Sequence, residues 1–334
     1  MIEGLTLKIA FFDTHKFEVK FYQEQMSGFE FTFFDVKLST QTAHLCQGFD
    51  AICVFVNDQI NADVIKLIKA AGVKLIALRC AGYNNVDIKA ALDHGLPVVR
   101  VEEYSPYAVA EYAVSLIQCL NRKVHKAYNR VREGNFLLDG LVGFDLHGKT
   151  VGVVGTGKIG SVFCQIMKGF GCKVLASDVF ENEDLKKNGV QYVGLNQLFT
   201  QSDIISLHVP LNEKTFHMLN AASFTLMKKG VMIINTGRGS LIDSKELIKN
   251  LKNGKIGFAG LDVYEEESQY FFENHEQEVL SDDVLARLMT FPNVILTSHQ
   301  AFLTDQALTN IALTTLQSLK QFKMGQKLTH QVLK

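Results

Sequence analysis

The chain has 334 residues, more than the roughly 250–300 at which a single hydrophobic core stops growing, so about two domains are expected. Hydrophobic residues make up 47% and charged residues 21%, which excludes a largely disordered chain. A formal net charge of −1 excludes both the basic footprint of a nucleic-acid-binding protein and an acidic solvating tail.

The N-terminus, Met1-Ile2-Glu3-Gly4-Leu5, lacks the charged and apolar regions of a secretory signal. No run approaches the roughly 18 apolar residues of a membrane span. A soluble cytoplasmic protein with no membrane partner is expected. In the first hundred residues, Lys8 to Phe12, Phe29 to Val36, Ala51 to Val56, Lys74 to Leu78 and Pro97 to Val101 are short runs rich in β-branched and aromatic side chains. Such runs suit strands covered on both faces. Between them Ala62 to Ala71 carries Val64, Leu67 and Ile68 on one helical face. Strands alternating with helices predict an α/β domain with a parallel sheet.

Ser105-Pro106 reads as a helix start, with serine as cap and proline at the first helical position. The helix runs on through Ala108, Ala110, Ala113, Leu116 and Leu120, so apolar that burial, even between domains, is expected. A charged helix follows from about Lys123 to Arg132, and Gly134, Gly140 and Gly143 soften what comes next. From Gly148 a second alternation begins. Its strands are Thr150 to Val154, Lys173 to Ser177, Asp203 to Val209, Val231 to Asn235, Ile256 to Asp262 and Asn293 to Thr297. The last segment, Thr304 to about Lys323, has a helical period through Leu308, Ile311, Ala312, Thr315 and Leu316.

The six cysteines (Cys46, Cys53, Cys80, Cys119, Cys164, Cys172) form no C-x-x-C pair, so neither zinc nor thioredoxin-type chemistry has support and no metal is expected. Most sit in apolar runs and read as small buried hydrophobes in a reducing compartment. Neither G-x-x-x-x-G-K-[ST] nor G-x-S-x-G is present, which removes the P-loop and the nucleophile elbow from consideration.

Gly155-Thr156-Gly157-Lys158-Ile159-Gly160 carries G-x-G-x-x-G. An apolar strand precedes it and an amphipathic segment, Val162 to Phe170, follows, which is the context a dinucleotide site requires. Gly155 permits the tight turn, Gly157 lets the backbone approach a pyrophosphate, and Gly160 allows helix and strand to pack closely. The free N–H groups of the helix start then hold the phosphates. Asp178 ends the next strand, about 20 residues on, where an acid accepts hydrogen bonds from the adenosine ribose. Its charge would repel a 2′-phosphate and no arginine follows nearby, so NAD is favoured over NADP.

Further motifs follow in order: Arg79-Cys80-Ala81-Gly82-Tyr83-Asn84-Asn85-Val86-Asp87, Tyr104-Ser105-Pro106, Asn235-Thr236-Gly237-Arg238-Gly239, Leu261-Asp262-Val263-Tyr264-Glu265-Glu266-Glu267 and Ser298-His299-Gln300-Ala301-Phe302. With the glycine motif, and over nearly the whole chain, they resemble the D-2-hydroxyacid dehydrogenase family. Within it, His299 to Thr304 and Asp262 to Tyr264 resemble most closely the fermentative branch that interconverts pyruvate and D-lactate. The resemblance implies two doubly wound parallel-sheet domains: a Rossmann NAD-binding domain (104–300) inserted in a flavodoxin-like substrate domain (1–103 and 301–334), with the two crossings as hinge.

The resemblance also assigns residues. Arg238 binds the substrate carboxylate with its planar fork and polarises the carbonyl beside it. His299 is the acid/base. Glu267 hydrogen-bonds His299, orienting the ring and favouring its charged form, although Glu265 and Glu266 are close enough to compete. His208 is the nearest rival histidine, without a matching acid. Ala81 and Gly82 offer backbone N–H groups to the carboxylate, and Tyr104 and Phe302 wall a small pocket. Lys158, Ile159, Val209, Pro210, Thr236, Gly237 and Asp262 match cofactor contacts, Asp262 on the nicotinamide side. Helix Pro106 to Leu120 resembles the segment that pairs subunits, so a homodimer is expected, with a tetramer open. Two alternatives stand: a relative acting on a larger 2-oxo acid, hydroxypyruvate or glyoxylate, and a non-enzymatic NAD-sensing corepressor.

Overall fold

The computed structural model describes residues 6–23 and 28–333; residues 1–5, on which the reading of the N-terminus rests, lie outside the described residues. The chain forms two compact units, Met1–Ser105 with Leu303–Lys334, and Pro106–Phe302.

The first unit is built on β1 (Leu7–Phe11), α1 (Lys16–Gln23), β2 (Phe29–Phe33), β3 (Ala51–Val54), α2 (Ala62–Ala70), β4 (Leu75–Leu78), α3 (Ile88–Asp93) and β5 (Val98–Val99). The strands are all parallel, in the order β2-β1-β3-β4-β5. This 2-1-3-4-5 order is that of flavodoxin-type doubly wound sheets. β3 and β4 are buried at every residue, which explains their unbroken apolar sequences: a parallel strand covered on both faces has no position for a polar side chain. Asn61 starts α2 by accepting the Val64 N–H at 3.0 Å. The C-terminal helix, Asp305–Lys323, is started by Thr304, whose Oγ1 accepts the Ala307 N–H. It packs on α1 and β4, and its Ala312, Leu316 and Leu319 complete the core around Phe11 and Tyr22.

Several ladders stop short of the apolar runs; β2 ends at Phe33 rather than Val36, and β5 is reduced to two residues. After β5 burial continues past the last ladder bond, to Val101, whereas the run after β2 turns outward and Val36 is exposed. Directly after β4, Arg79 is sunk in the unit at 1% exposure. Its Nε and Nη2 donate to the two Glu18 oxygens at 2.7 and 2.9 Å, and Nη2 also donates to the Asp13 carbonyl. This bidentate pair fixes where the segment Cys80-Ala81-Gly82 begins.

The second unit opens with α4 (Pro106–Arg122) and α5 (Val124–Arg132), separated by Lys123 in the left-handed region (φ 51). It continues through β6 (Thr150–Val154), α6 (Lys158–Gly169), β7 (Lys173–Ser177), α7 (Glu183–Lys187), β8 (Gln191–Tyr192), α8 (Leu195–Gln201), β9 (Ile204–Leu207), α9 (Ala221–Leu226), β10 (Val231–Asn235), α10 (Ser244–Lys252), β11 (Ile256–Leu261), α11 (Asp283–Thr290) and β12 (Val294–Leu296). The parallel sheet runs β12-β11-β10-β9-β6-β7-β8. Counted from its own first strand this is 3-2-1-4-5-6 with one further strand, the Rossmann order. The apolar residues of α4 are buried against α6, β10 and β11 of this unit. α5 buries none of its residues. Among the described residues no helix is long and apolar enough to cross a membrane.

Because every strand points the same way, β6, β7, β9, β10, β11 and β12 end on one edge of the sheet. The loops leaving that edge carry Gly155 to Gly160, Asp178, Val209-Pro210, Thr236 to Arg238, Asp262 to Glu267, and His299. Ligands of open α/β sheets bind at this carboxyl edge, beside the point where strand order reverses. Here the reversal lies between β6 and β9.

Candidate active site

The turn after β6 has no room for side chains where it folds back. Gly155 is left-handed (φ +90), and a Cβ there would lie 2.6 Å from the His208 carbonyl oxygen. A Cβ on Gly160 would lie 2.0 Å from the Gly155 oxygen. At Gly157 nothing comes within 4 Å, so the backbone is open to a neighbour. Gly157 is also the N-cap of α6 and supplies no side-chain bond to the helix start, where backbone N–H groups suit an anion. Lys158 and Ile159 open this helix, and Val209 and Pro210 follow β9 beside it. Asp178, after β7, accepts from the Thr156 N–H and Oγ1 at 2.5 and 3.1 Å, and from the Phe180 N–H at 3.2 Å. Burial works against its charge, but the Thr156 and Phe180 bonds together outweigh burial and hold the carboxyl below its usual range.

The turn after β10 is shaped by Asn235. Its Oδ1 accepts the Gly237 N–H and its Nδ2 donates to the Arg238 carbonyl, at 3.0 and 2.8 Å. Arg238 is half-buried, with Nη1 donating to the Gly237 carbonyl at 2.8 Å. The Thr236 hydroxyl is buried with no hydrogen-bond partner among the described residues. Gly239 lies against the next loop so closely that a Cβ would sit 2.0 Å from the Tyr264 carbonyl carbon. The arginine turn is therefore seated directly on the loop that leads to Glu267.

Of the three successive acids, Glu267 reaches His299: Oε1 lies 2.7 Å from Nδ1. Its Oε2 accepts the Tyr264 N–H at 3.0 Å, so one oxygen serves the ring and the other its own loop. Nε2 is the ring nitrogen left for a reactant. Glu265 is engaged elsewhere, with His217 Nε2 at 2.5 Å and the Ser244 N–H at 2.9 Å. His299 itself is held in a left-handed conformation (φ 53), a sparsely populated region for a non-glycine residue that its surroundings must impose. Asp262 imposes it. This fully buried carboxylate accepts from Thr297 Oγ1 (2.6 Å) and the Gln300 N–H (2.9 Å) on one oxygen and the Ala301 N–H (2.8 Å) on the other. Its carbonyl accepts the His299 N–H at 2.7 Å. Burial pushes the Asp262 carboxyl upward; the bonds from Thr297, Ala301 and Gln300 offset only part of that.

His208 stands apart. Its Nε2 is 2.9 Å from Ser206 Oγ and its ring packs on Phe163. Burial pushes it down to about 4, which leaves it neutral at pH 7.

A family model, D-isomer specific 2-hydroxyacid dehydrogenase, NAD binding domain, matches residues 114–301. The chain belongs to the D-isomer specific 2-hydroxyacid dehydrogenases. A D-lactate dehydrogenase of Escherichia coli strain K12 is 50% identical over 322 residues, covering 96% of this chain and 98% of that one. Among solved structures, the apo form of the Escherichia coli D-lactate dehydrogenase superposes with a TM-score of 0.90 at 47% identity, covering 98% of this chain and all of the other. A D-lactate dehydrogenase from Aquifex aeolicus complexed with NAD and lactic acid superposes at 0.86, with 33% identity over 95% and 96% of the two chains.

The protein is thus an NAD-dependent dehydrogenase of this family. Its own residues fit the dinucleotide. The open backbone at Gly157, the helix start with no side-chain cap, the ionised Asp178 and the Thr236 hydroxyl, without a partner among the described residues, are the donors and acceptors such a ligand needs.

In the first unit, Ala81 and Gly82 follow buried Arg79, and Cys80 Sγ donates to the Gly82 carbonyl at 3.2 Å. The Tyr104 carbonyl accepts from Asn310 Nδ2. Phe302, in the second unit, is buried at 9% exposure. Three contributors escaped the sequence reading: Thr156, Asn235 and Thr297. Thr156 and Asn235 sit inside motifs and Thr297 just before one; Thr156 and Thr297 meet their partners Asp178 and Asp262 across the fold, whereas Asn235 bonds within its own turn.

Proposed function

We propose that the chain is a D-lactate dehydrogenase, reducing pyruvate to D-lactate with NADH and running the oxidation with NAD. The observation that carries the reading is the 2.7 Å His299–Glu267 couple, set on the same sheet edge as Arg238, in a chain half identical over its length to a D-lactate dehydrogenase.

Arg238 takes the substrate carboxylate with two parallel N–H donors and draws charge from the adjacent carbonyl. Ala81 and Gly82 add backbone donors to the carboxylate, and Tyr104 and Phe302 wall the small side chain, as in the family. His299 Nε2 delivers the proton to the carbonyl oxygen in reduction and takes it back in oxidation. Glu267 holds Nδ1 and so fixes both the tautomer and the ring plane. Bound NADH supplies the hydride. Its adenosine ribose is assigned to Asp178 and its pyrophosphate to the turn Gly155, Gly157, Lys158, Ile159 and Gly160. The remainder is assigned to Val209, Pro210, Thr236, Gly237 and Asp262.

Residues 104–300 are assigned as the NAD-binding domain, inserted in a substrate domain of 1–103 and 301–334, and the compartment as cytoplasm. The oligomer is assigned as a homodimer. The apolar surface available for it lies just after α4: Val124, Tyr128, Val131, Phe136, Leu138 and Val142 are all more than half exposed.

The test is NADH oxidation by the purified protein with pyruvate, followed by chiral analysis. D-lactate is expected, with pyruvate preferred over hydroxypyruvate, glyoxylate, phenylpyruvate and 2-oxoisocaproate by kcat/KM. His299→Ala should abolish turnover. Pyruvate reduction by that variant at nearly the normal rate overturns the assignment.

A further inference from the structure

Thr156 stands between the first two glycines of the dinucleotide turn. Its hydroxyl gives its one proton to Asp178 Oδ2 at 3.1 Å, so it must accept from its next neighbour. That neighbour is the Tyr192 hydroxyl, 2.8 Å away, which in turn accepts the Asn182 N–H at 2.9 Å. The protons all run one way, from Asn182 N–H to Tyr192 O–H to Thr156 O–H to the carboxylate. Each link polarises the next toward the charge at its end. The chain ties three separate pieces together: edge strand β8, the loop after β7 and the glycine turn.

Its effect falls on one side chain. Oδ2 of Asp178 accepts both Thr156 donors, while Oδ1 accepts the Phe180 N–H at 3.2 Å and the Val179 backbone also favours the charge. A carboxylate offers about four acceptor positions, and Oδ1 is the less occupied of the two oxygens. The carboxylate cannot turn aside without breaking both Thr156 bonds. The cation beside the chain, Lys186, lies 5.8 Å from the Tyr192 ring centre and is held by Glu181 and Glu183, so it is not free to receive an added phosphate.

We propose that Tyr192 and Thr156 are specificity-determining positioning residues: their hydroxyl chain pins Asp178 so that Oδ1 accepts the ribose 2′-hydroxyl of NAD while its charge occupies the space a 2′-phosphate would need. This rests on the assignment of Asp178 to the adenosine ribose. Discrimination between the two cofactors then depends on two neutral hydroxyls that never touch the cofactor's reacting end.

The test is equilibrium binding of NADH and of NADPH to the full chain, followed by cofactor fluorescence without any 2-oxo acid. Tyr192→Phe and Thr156→Val should each weaken NADH about 3- to 10-fold. NADPH should be unchanged or tighter, so the NADH preference falls. Thr156→Ser keeps the hydroxyl and should keep the preference. Asp178→Ala should lose more of it than either. A wild-type preference in Tyr192→Phe and Thr156→Val, while Asp178→Ala loses it, overturns the role of the chain. Equal weakening of both cofactors in those two variants overturns it as well. A wild-type preference in Asp178→Ala overturns the ribose assignment beneath it.

Discussion

Replacing Gly239 with alanine puts a methyl group where two backbones meet. Its Cβ would lie 2.0 Å from the Tyr264 carbonyl carbon, 2.2 Å from the Tyr264 oxygen and 2.4 Å from the Glu265 nitrogen. Non-bonded heavy atoms settle at roughly 3.5–4.0 Å, so the two segments must part by about 1–2 Å. Neither can yield by a side-chain rotation, because the atoms in the way are main chain. One segment carries Arg238 and the other leads to Glu267, whose Oε2 is bonded to the Tyr264 N–H. A misplacement of about 1 Å in a catalytic constellation can cost on the order of 100-fold. Gly239→Ala should therefore lower kcat/KM for pyruvate about 100-fold and cost roughly 1–3 kcal/mol of stability by overpacking. NADH binding through the turn at Gly155 should persist. Steady-state kinetics with a parallel NADH titration reads both. A folded variant with kcat/KM indistinguishable from wild type would refute the claim that this contact sets the distance between Arg238 and Glu267.

Glu267→Gln leaves the shape of the His299 partner but removes its charge; kcat should fall roughly 10- to 100-fold with little change in KM for pyruvate, and a change confined to KM would contradict the role given to Glu267. Two buried groups give opposite pH dependences. Asp58 accepts the Leu38 and Phe55 N–H groups at 2.6 Å each, and burial pushes its carboxyl up to about 7. A raised acid holds its proton more tightly when folded, so its contribution is full below about pH 4 and is lost as pH rises toward 7. His208, pushed down to about 4 by burial, contributes fully above about pH 6.5 and loses that as pH falls toward 4. Urea unfolding between these limits should lose the first slope in Asp58→Asn and the second in His208→Gln, and unchanged slopes would reject the burial argument. Leu138→Asp, at a side chain 78% exposed, should shift a dimer to monomer in light scattering, and an unaltered mass would move the interface elsewhere.

The apolar runs at Ala51, Leu75, Thr150 and Val231 were legible as strands because a parallel strand covered on both faces must be apolar along its length. β8 was not legible. Gln191–Tyr192 is a two-residue edge strand whose only cue is its register against Leu175 and Ala176. The helix of Pro106 was legible as buried; that it lies on α6, β10 and β11 of its own unit was not. A run of exposed apolar side chains follows it, from Val124 to Val142.

By itself the sequence determined the chemistry available: a glycine turn open to a dinucleotide, an acid at the next strand end, and an arginine and a histidine after later strands. It also determined the parallel order of events, because each motif follows an apolar run. Tertiary structure alone decided which groups meet. Glu265, Glu266 and Glu267 are alike in chemistry; family resemblance singled out Glu267, and the fold shows why the others do not compete: Glu267 reaches His299 while Glu265 is paired with His217. Thr156 and Tyr192 are 36 residues apart and meet only because β8 adds to the edge beside β7. The physical reason is range. Periodicity and motif spacing record what a residue does for its own strand or helix, whereas a hydrogen bond forms between side chains that the fold brings within about 3 Å. No local pattern encodes that distance.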